Sequence, residues 1–187
     1  MHLAIGLATV LLVYYEMLQP LTLFLLIVVG VLASIVSKRM RLPFFSFFLD
    51  HFEREEVRKT FPGKGMIFFF IGVLLVVKLF SKDIALASIM VLSLGDSLSH
   101  LFGERFGKTK NIFNSKSKKL LEGTLAGTVT GFIGAVVFVP VPEALLGSMG
   151  AMIAEVVKID LNERTLDDNL IVPLVAGTIM LLVRTYL

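Results

Sequence analysis

The sequence contains no cysteine and no tryptophan. Without cysteine there is no disulfide framework and no thiolate metal centre, although the redox compartment stays open. Charge is also scarce: 18% of the residues are charged against 56% hydrophobic, with a mean hydropathy of +0.85. A soluble domain carries about a quarter charged residues. A chain of 187 residues this poor in charge reads as a polytopic α-helical membrane protein. It lacks any polar linker long enough to divide it, so one integral-membrane domain over 1–187 is expected. The start, Met1-His2-Leu3, has neither the basic run nor the small-residue cleavage site of a secretory signal, and the first span is expected to stay in the mature protein. The formal charge of +3 is not a nucleic-acid signal, because the basic residues cluster between apolar blocks, where membrane topology accounts for them.

The apolar blocks predict an all-α bundle of about seven transmembrane helices, over 3–18, 21–36, 65–80, 84–102, 120–139, 143–157 and 170–187. Glu16–Pro20 is the expected turn of the first hairpin. Residues 37–64 mix charges with Phe44, Phe45, Phe47, Phe48, Leu49 and Phe52, the composition of an interfacial amphipathic segment lying on the bilayer. Seven Lys/Arg lie in Ser37–Lys64, six in Arg105–Lys119, and Lys158 and Arg164 lie between the last two spans. Seven spans put these three loops on one side. The positive-inside bias then makes that side, and the N-terminus, cytoplasmic.

The densest chemistry runs from Gly95 to Gly123. Asp96 is an acid inside an apolar helix, which costs about 2.5–3.5 kcal/mol on insertion scales and marks a functional candidate. Ser93, Asp96 and His100 are spaced to share one helical face. Gly103-Glu-Arg-Phe-Gly107-Lys108 follows. It is not a Walker A loop, having three residues between its glycines where that motif has four. Its glycines still permit close backbone approach to phosphate, and Arg105, Lys108 and Lys110 supply charge. Lys118-Lys119-Leu-Leu-Glu122-Gly123 opens the fifth span. Glu122 sits there at the positive end of the helix dipole as a candidate ligand-handling carboxylate. Gly123, Gly127 and Gly131 form a small-residue ridge for helix packing, within the chain or between copies in a homo-oligomer. Glu155 and Asp167-Asp168-Asn169 return to the same side as Asp96, with helix capping by Asp168 or Asn169 a further role for the latter. Carboxylates and an amide beside cationic loops suit Mg²⁺ bound to phosphates. The whole reads as a nucleotide–metal site at the bilayer surface.

Leu94-Gly-Asp-Ser97, Gly103-x-x-x-Gly107-Lys108, Lys119-x-x-Glu122-Gly123 and Asp167-Asp168-Asn169-Leu-x-x-Pro173, with Phe61-Pro-Gly-Lys-Gly65 before them, resemble the CTP-dependent polyprenol kinase family. That family comprises dolichol kinases, phytol kinases and CTP-dependent diacylglycerol kinases. The central block is also similar to the CDP-diacylglycerol synthases. The resemblance implies transfer of the γ-phosphoryl group of CTP, with Mg²⁺, to an isoprenoid alcohol or diacylglycerol-type lipid at the cytoplasmic face of a prokaryotic cell membrane. It implies Asp96, Asp168 and Glu122 as catalytic residues, Asp168 being the candidate base. Gly103, Arg105, Gly107, Lys108, Lys118, Lys119 and Gly123 are the expected nucleotide contacts, and Asp96, Glu122, Glu155, Asp167 and Asn169 the expected metal side. A lipid-phosphate cytidylyltransferase of the CDP-diacylglycerol or CDP-archaeol synthase kind is the alternative. A small transporter using Asp96, Glu122 and Glu155 as a relay is a third reading, without the internal repeat that transporters often show.

Overall fold

A computed structural model describes residues 2–38, 40, 60–114, 117, 119–157, 160–161 and 164–187. The expected interfacial block around Phe44–Phe52 and the expected nucleotide contact Lys118 lie outside the described residues.

Seven helices are present among the described residues, each close to an expected span. They are α1 (His2–Tyr14), α2 (Pro20–Ser37), α3 (Lys64–Leu79), α4 (Lys82–Phe106), α5 (Leu121–Ala135), α6 (Val141–Val157) and α7 (Asp168–Tyr186). A two-residue antiparallel ribbon, Asp160–Leu161 with Arg164–Thr165, joins α6 to α7. Of the seven, α2, α4 and α7 are long and apolar enough to cross a membrane, which marks a membrane protein.

The boundaries depart from expectation where local backbone chemistry intervenes. Helix α1 stops at Tyr14, short of 18, because Glu16 adopts the left-handed region (φ 60°) and turns the chain. Pro20 opens α2 at its first helical position, where a missing N–H costs nothing. Gly63 (φ 77°) makes the left-handed turn that launches α3 at Lys64. Helix α4 continues to Phe106, beyond the expected 102, so Gly103–Phe106 are helical and the open loop begins only at Gly107.

Helix α4 is the hub, packed against α1, α3, α5, α6 and α7. Its first half, Ile84 to Leu92, is buried nearly all round, as expected for a helix apolar on every face. Phe69 and Val73 of α3, Met152 of α6 and Val172, Ala176 and Met180 of α7 complete the core. By contrast, α2 exposes Leu21, Phe24, Leu25, Val29, Leu32 and Ile35, a face suited to acyl chains. The glycine ridge is used within the chain: a Cβ on Gly123 would lie 2.5 Å from the Ser99 carbonyl, and one on Gly127 2.8 Å from the Gly95 carbonyl. Helices α4 and α5 therefore touch backbone to backbone, as small residues allow in membranes.

Each end of the bundle has its own polar cluster. At one end Arg184 donates to both Glu143 oxygens (3.1 and 2.7 Å) and to Asp83 (2.6 Å), joining α7 to α6 and α4. Beside it Lys82 donates to Glu16 (2.7 Å) and holds that carboxyl below its usual range, through the hydrogen bond first and the charge second. The opposite end carries the residues singled out above.

Candidate functional site

Three features of the backbone aim side chains into the second end. The first is a π-helical turn, Val91–Asp96, inside α4. Such widened turns are rare and recur at functional sites. It breaks the face that Ser93, Asp96 and His100 were expected to share. Ser93 is buried with its hydroxyl bonded to the Ile89 carbonyl (2.6 Å). His100, farther toward the exposed helix end, pairs with Glu104 (3.4 Å) and is 49% exposed. Asp96 alone of the three enters the site.

The second feature is the start of α7. Asp167 caps that helix, accepting from the Asn169 N–H (3.2 Å) and side-chain amide (2.8 Å); the cap falls on Asp167 and not on the expected Asp168 or Asn169, which are already helical. Lys64, first residue of α3, pairs with Asp167 at 3.3 Å. Pro173 has no N–H for the carbonyl four residues back, that of Asn169. Gly72, midway along α3, packs so tightly on that carbonyl that any Cβ would overlap it. The helix thus begins inside the bundle and carries Asp168 and Asn169 with it.

The third feature is Lys119, the residue before the bridge that leads into α5. Its ammonium lies among three carboxylates from three helices: Glu155 of α6 in direct contact, Asp96 of α4 at 3.3 Å and Asp168 of α7 at 3.8 Å. Lys119 is 17% exposed and Glu155 only 1%. A buried acid of this kind requires a partner, and Lys119 is that partner. Three carboxylates and one ammonium leave a formal charge of −2, which a divalent cation would neutralise. Around them the Ser97 hydroxyl and the Asn169 side-chain oxygen are buried with no hydrogen-bond partner among the described residues. Buried polar atoms without a partner are uncommon in folded proteins.

The site therefore gathers Asp96, Lys119, Glu155 and Asp168, with Asp167 and Asn169 alongside. Other expected members stand apart. Glu122 accepts from the Thr109 N–H (3.0 and 3.3 Å) and hydroxyl (2.8 Å). Gly103 and Gly123 face each other across the α4–α5 contact, and Gly107 packs under Leu120. A Cβ on Gly107 or on Gly123 would overlap its neighbours, whereas one on Gly103 would make only an ordinary contact at 3.6 Å. Arg105 and Lys108 are exposed, Arg105 over the ring of Phe106. Among the described residues no three acids or histidines converge on an open point as a ready metal centre; they converge on an ammonium. Lys64 was missed as a site residue. Its position at a glycine-launched helix start was the available signal. Asn111, buried and bonded to the Thr124 hydroxyl (2.7 Å), left no signal in the sequence.

The described residues define a class by fold and site: an all-helical membrane-type bundle that sets one lysine among three carboxylates at one end. The chain is 32% identical, over 138 residues, to the CTP-dependent diacylglycerol kinase 1 of Schizosaccharomyces pombe. The match covers 64% of this chain and 60% of that protein. It supports the CTP-dependent lipid kinase family that the motifs resemble. No protein-family model matches the chain, and no solved structure matches it.

Proposed function

We propose that this protein is a membrane lipid kinase that transfers the γ-phosphoryl group of CTP to the hydroxyl of a lipid alcohol at the cytoplasmic face. A diacylglycerol-type acceptor accords with the relative's name, and an isoprenoid alcohol is the second candidate. The observation that carries the reading is the Lys119 ammonium set among Asp96, Glu155 and Asp168. Phosphoryl transfer asks a protein mainly for positioning and charge neutralisation, and this group offers both signs of charge at one end of the bundle. Seven crossings, as expected from the apolar blocks, would put the three basic stretches on one side, and the positive-inside bias supports reading that side as cytoplasmic.

The charges support the following roles. Lys119, with Arg105 at the end of α4 and Lys108 on the loop after it, would take the phosphates. Asp168, the most exposed of the three carboxylates at 36%, is the candidate base. It would accept the lipid hydroxyl proton as that oxygen bonds to the γ-phosphorus, the bond to the β-phosphate oxygen breaks, and CDP leaves. Lys64 and Asp167 hold the α7 start that presents Asp168. The donor chemistry also fits Mg²⁺. Asp96 and Glu155 offer carboxylate oxygens and Asn169 an amide oxygen, the hard donors that ion takes. These residues would hold the cation, which when bound supplies neutralisation of the phosphate charge.

The test is a product analysis. Purified protein in lipid nanodiscs is incubated with Mg²⁺, CTP labelled at the γ-phosphate, and either diacylglycerol, a polyprenol or phosphatidic acid. Label in phosphatidic acid or a polyprenyl phosphate, with CDP released, is the expected result. Pyrophosphate together with a CDP-lipid would make the protein a cytidylyltransferase, and no turnover of any lipid would remove the kinase reading.

A further inference from the structure

Glu122 sits in the first turn of α5, three residues after Lys119 in sequence, yet it does not join the other carboxylates around that ammonium. Its oxygens go to Thr109, both backbone N–H and hydroxyl. Thr109 returns the contact by accepting from the Leu121 N–H at 3.1 Å. One residue on, Lys110 pairs with Leu120 in an antiparallel bridge. One further, Asn111 is 1% exposed and its amide donates to the Thr124 hydroxyl. The two ends of the loop between α4 and α5 are thus stapled side by side, with Glu122 supplying the ionised acceptor. Hydrogen bonds to a charged acceptor are the stronger kind. What the staple fixes is the backbone at Leu120, and so the root of Lys119, whose ammonium lies in the carboxylate group.

We infer that Glu122 is a latch: a positioning residue that closes the α4–α5 loop on Thr109 and thereby sets Lys119, not a ligand to the phosphates or their cation. The inference rests on the kinase reading only for what it predicts about turnover. The latch itself stands on the loop geometry.

Trypsin reads the latch directly, because the bond it cuts after Lys108 is the Lys108–Thr109 peptide whose N–H Glu122 holds. A protease cuts the transiently opened form, at a rate that follows the opening equilibrium. The full chain in nanodiscs is digested as wild type, Glu122→Ala, Glu122→Gln and Thr109→Val, and cleavage at Lys108–Thr109 is followed by mass spectrometry. Glu122→Ala is expected to be cut there at least about tenfold faster, with Thr109→Val intermediate. Glu122→Gln keeps an amide oxygen that accepts the same two hydrogens, and it should stay protected. In the CTP assay Glu122→Ala should raise KM for CTP about tenfold, acting through Lys119, and Glu122→Gln should recover most of that loss. Wild-type cleavage rates in Glu122→Ala would overturn the latch. So would a Glu122→Gln protein that stays protected yet loses more than about a hundredfold in turnover, the mark of a lost ligand. If Glu122→Ala fails to fold, the Glu122→Gln and Thr109→Val digests decide alone. If no variant, wild type included, turns over CTP, the cleavage pattern still decides the latch while the kinase reading falls.

Discussion

Replacing Lys119 by methionine keeps an unbranched side chain one atom shorter and removes its charge. Glu155, 1% exposed, then loses the ammonium it touches, and Asp96 and Asp168 lose a shared counter-charge. Breaking a buried pair from one side costs about 3–5 kcal/mol, because the remaining charge stays buried without compensation. Lys119 is 17% exposed and Asp168 36%, so water screens part of the group and the lower half of that range applies, about 3 kcal/mol. For a chain of this length that corresponds to a fall in Tm of about 6–12 °C. Thermal unfolding in detergent micelles, followed by intrinsic tyrosine fluorescence or by aggregation onset, measures it. The companion variant sharpens the test. Lys119→Met with Glu155→Gln removes both members, and much of the stability should return, since a neutral pair carries no uncompensated charge. Activity should not return, because the phosphates still lack their ammonium. A Lys119→Met protein with wild-type Tm and wild-type turnover would refute both the burial argument and the site. A double variant no more stable than the single one would show that Glu155 is not the group Lys119 neutralises.

Asp96→Asn should leave the fold intact and cut turnover in the labelled-CTP assay by at least about a hundredfold; near-normal turnover would remove Asp96 from the site. Arg184→Gln, at the far end, takes away the bonds to Glu143 and Asp83. It should lower stability by about 1–2 kcal/mol, given that Arg184 is one-third exposed, with kcat unchanged. Gly127→Ala would press a methyl against the Gly95 carbonyl at 2.8 Å and Ser99 Cβ at 2.8 Å, and it should cost about 1–3 kcal/mol by overpacking. Gly131→Ala, whose nearest neighbours are 3.4 Å away, should unfold at nearly the wild-type temperature, and equal effects from the two would contradict the α4–α5 packing.

Much of the bundle was legible in the residue order. The cost of placing a side chain in an apolar medium is a property of that residue, so runs of Leu, Val, Ile and Phe announce helices without reference to the rest of the chain. Seven blocks became seven helices, displaced mainly where Glu16, Pro20 and the Gly103–Phe106 turn changed the local backbone. The candidate acids were legible for the same reason, since a carboxylate in an apolar run is conspicuous anywhere. Roles were less legible. Residue order does not show that Glu122 meets Thr109, nor that Gly107 and Gly123 lie where a Cβ would overlap a neighbour.

The sequence by itself determined the solvent this chain is built for, its helices, and the short set of charged residues that an apolar interior must account for. Tertiary structure alone decided which of those residues meet. Lys119 finds Glu155, Asp96 and Asp168 across separations of 36, 23 and 49 residues, each on a different helix. A π turn in α4 directs Asp96 there and not Ser93 or His100. The physical reason is range. Transfer free energy acts residue by residue and is written along the chain, whereas an ion pair acts over a few ångströms in space and exists only once the helices have been set side by side.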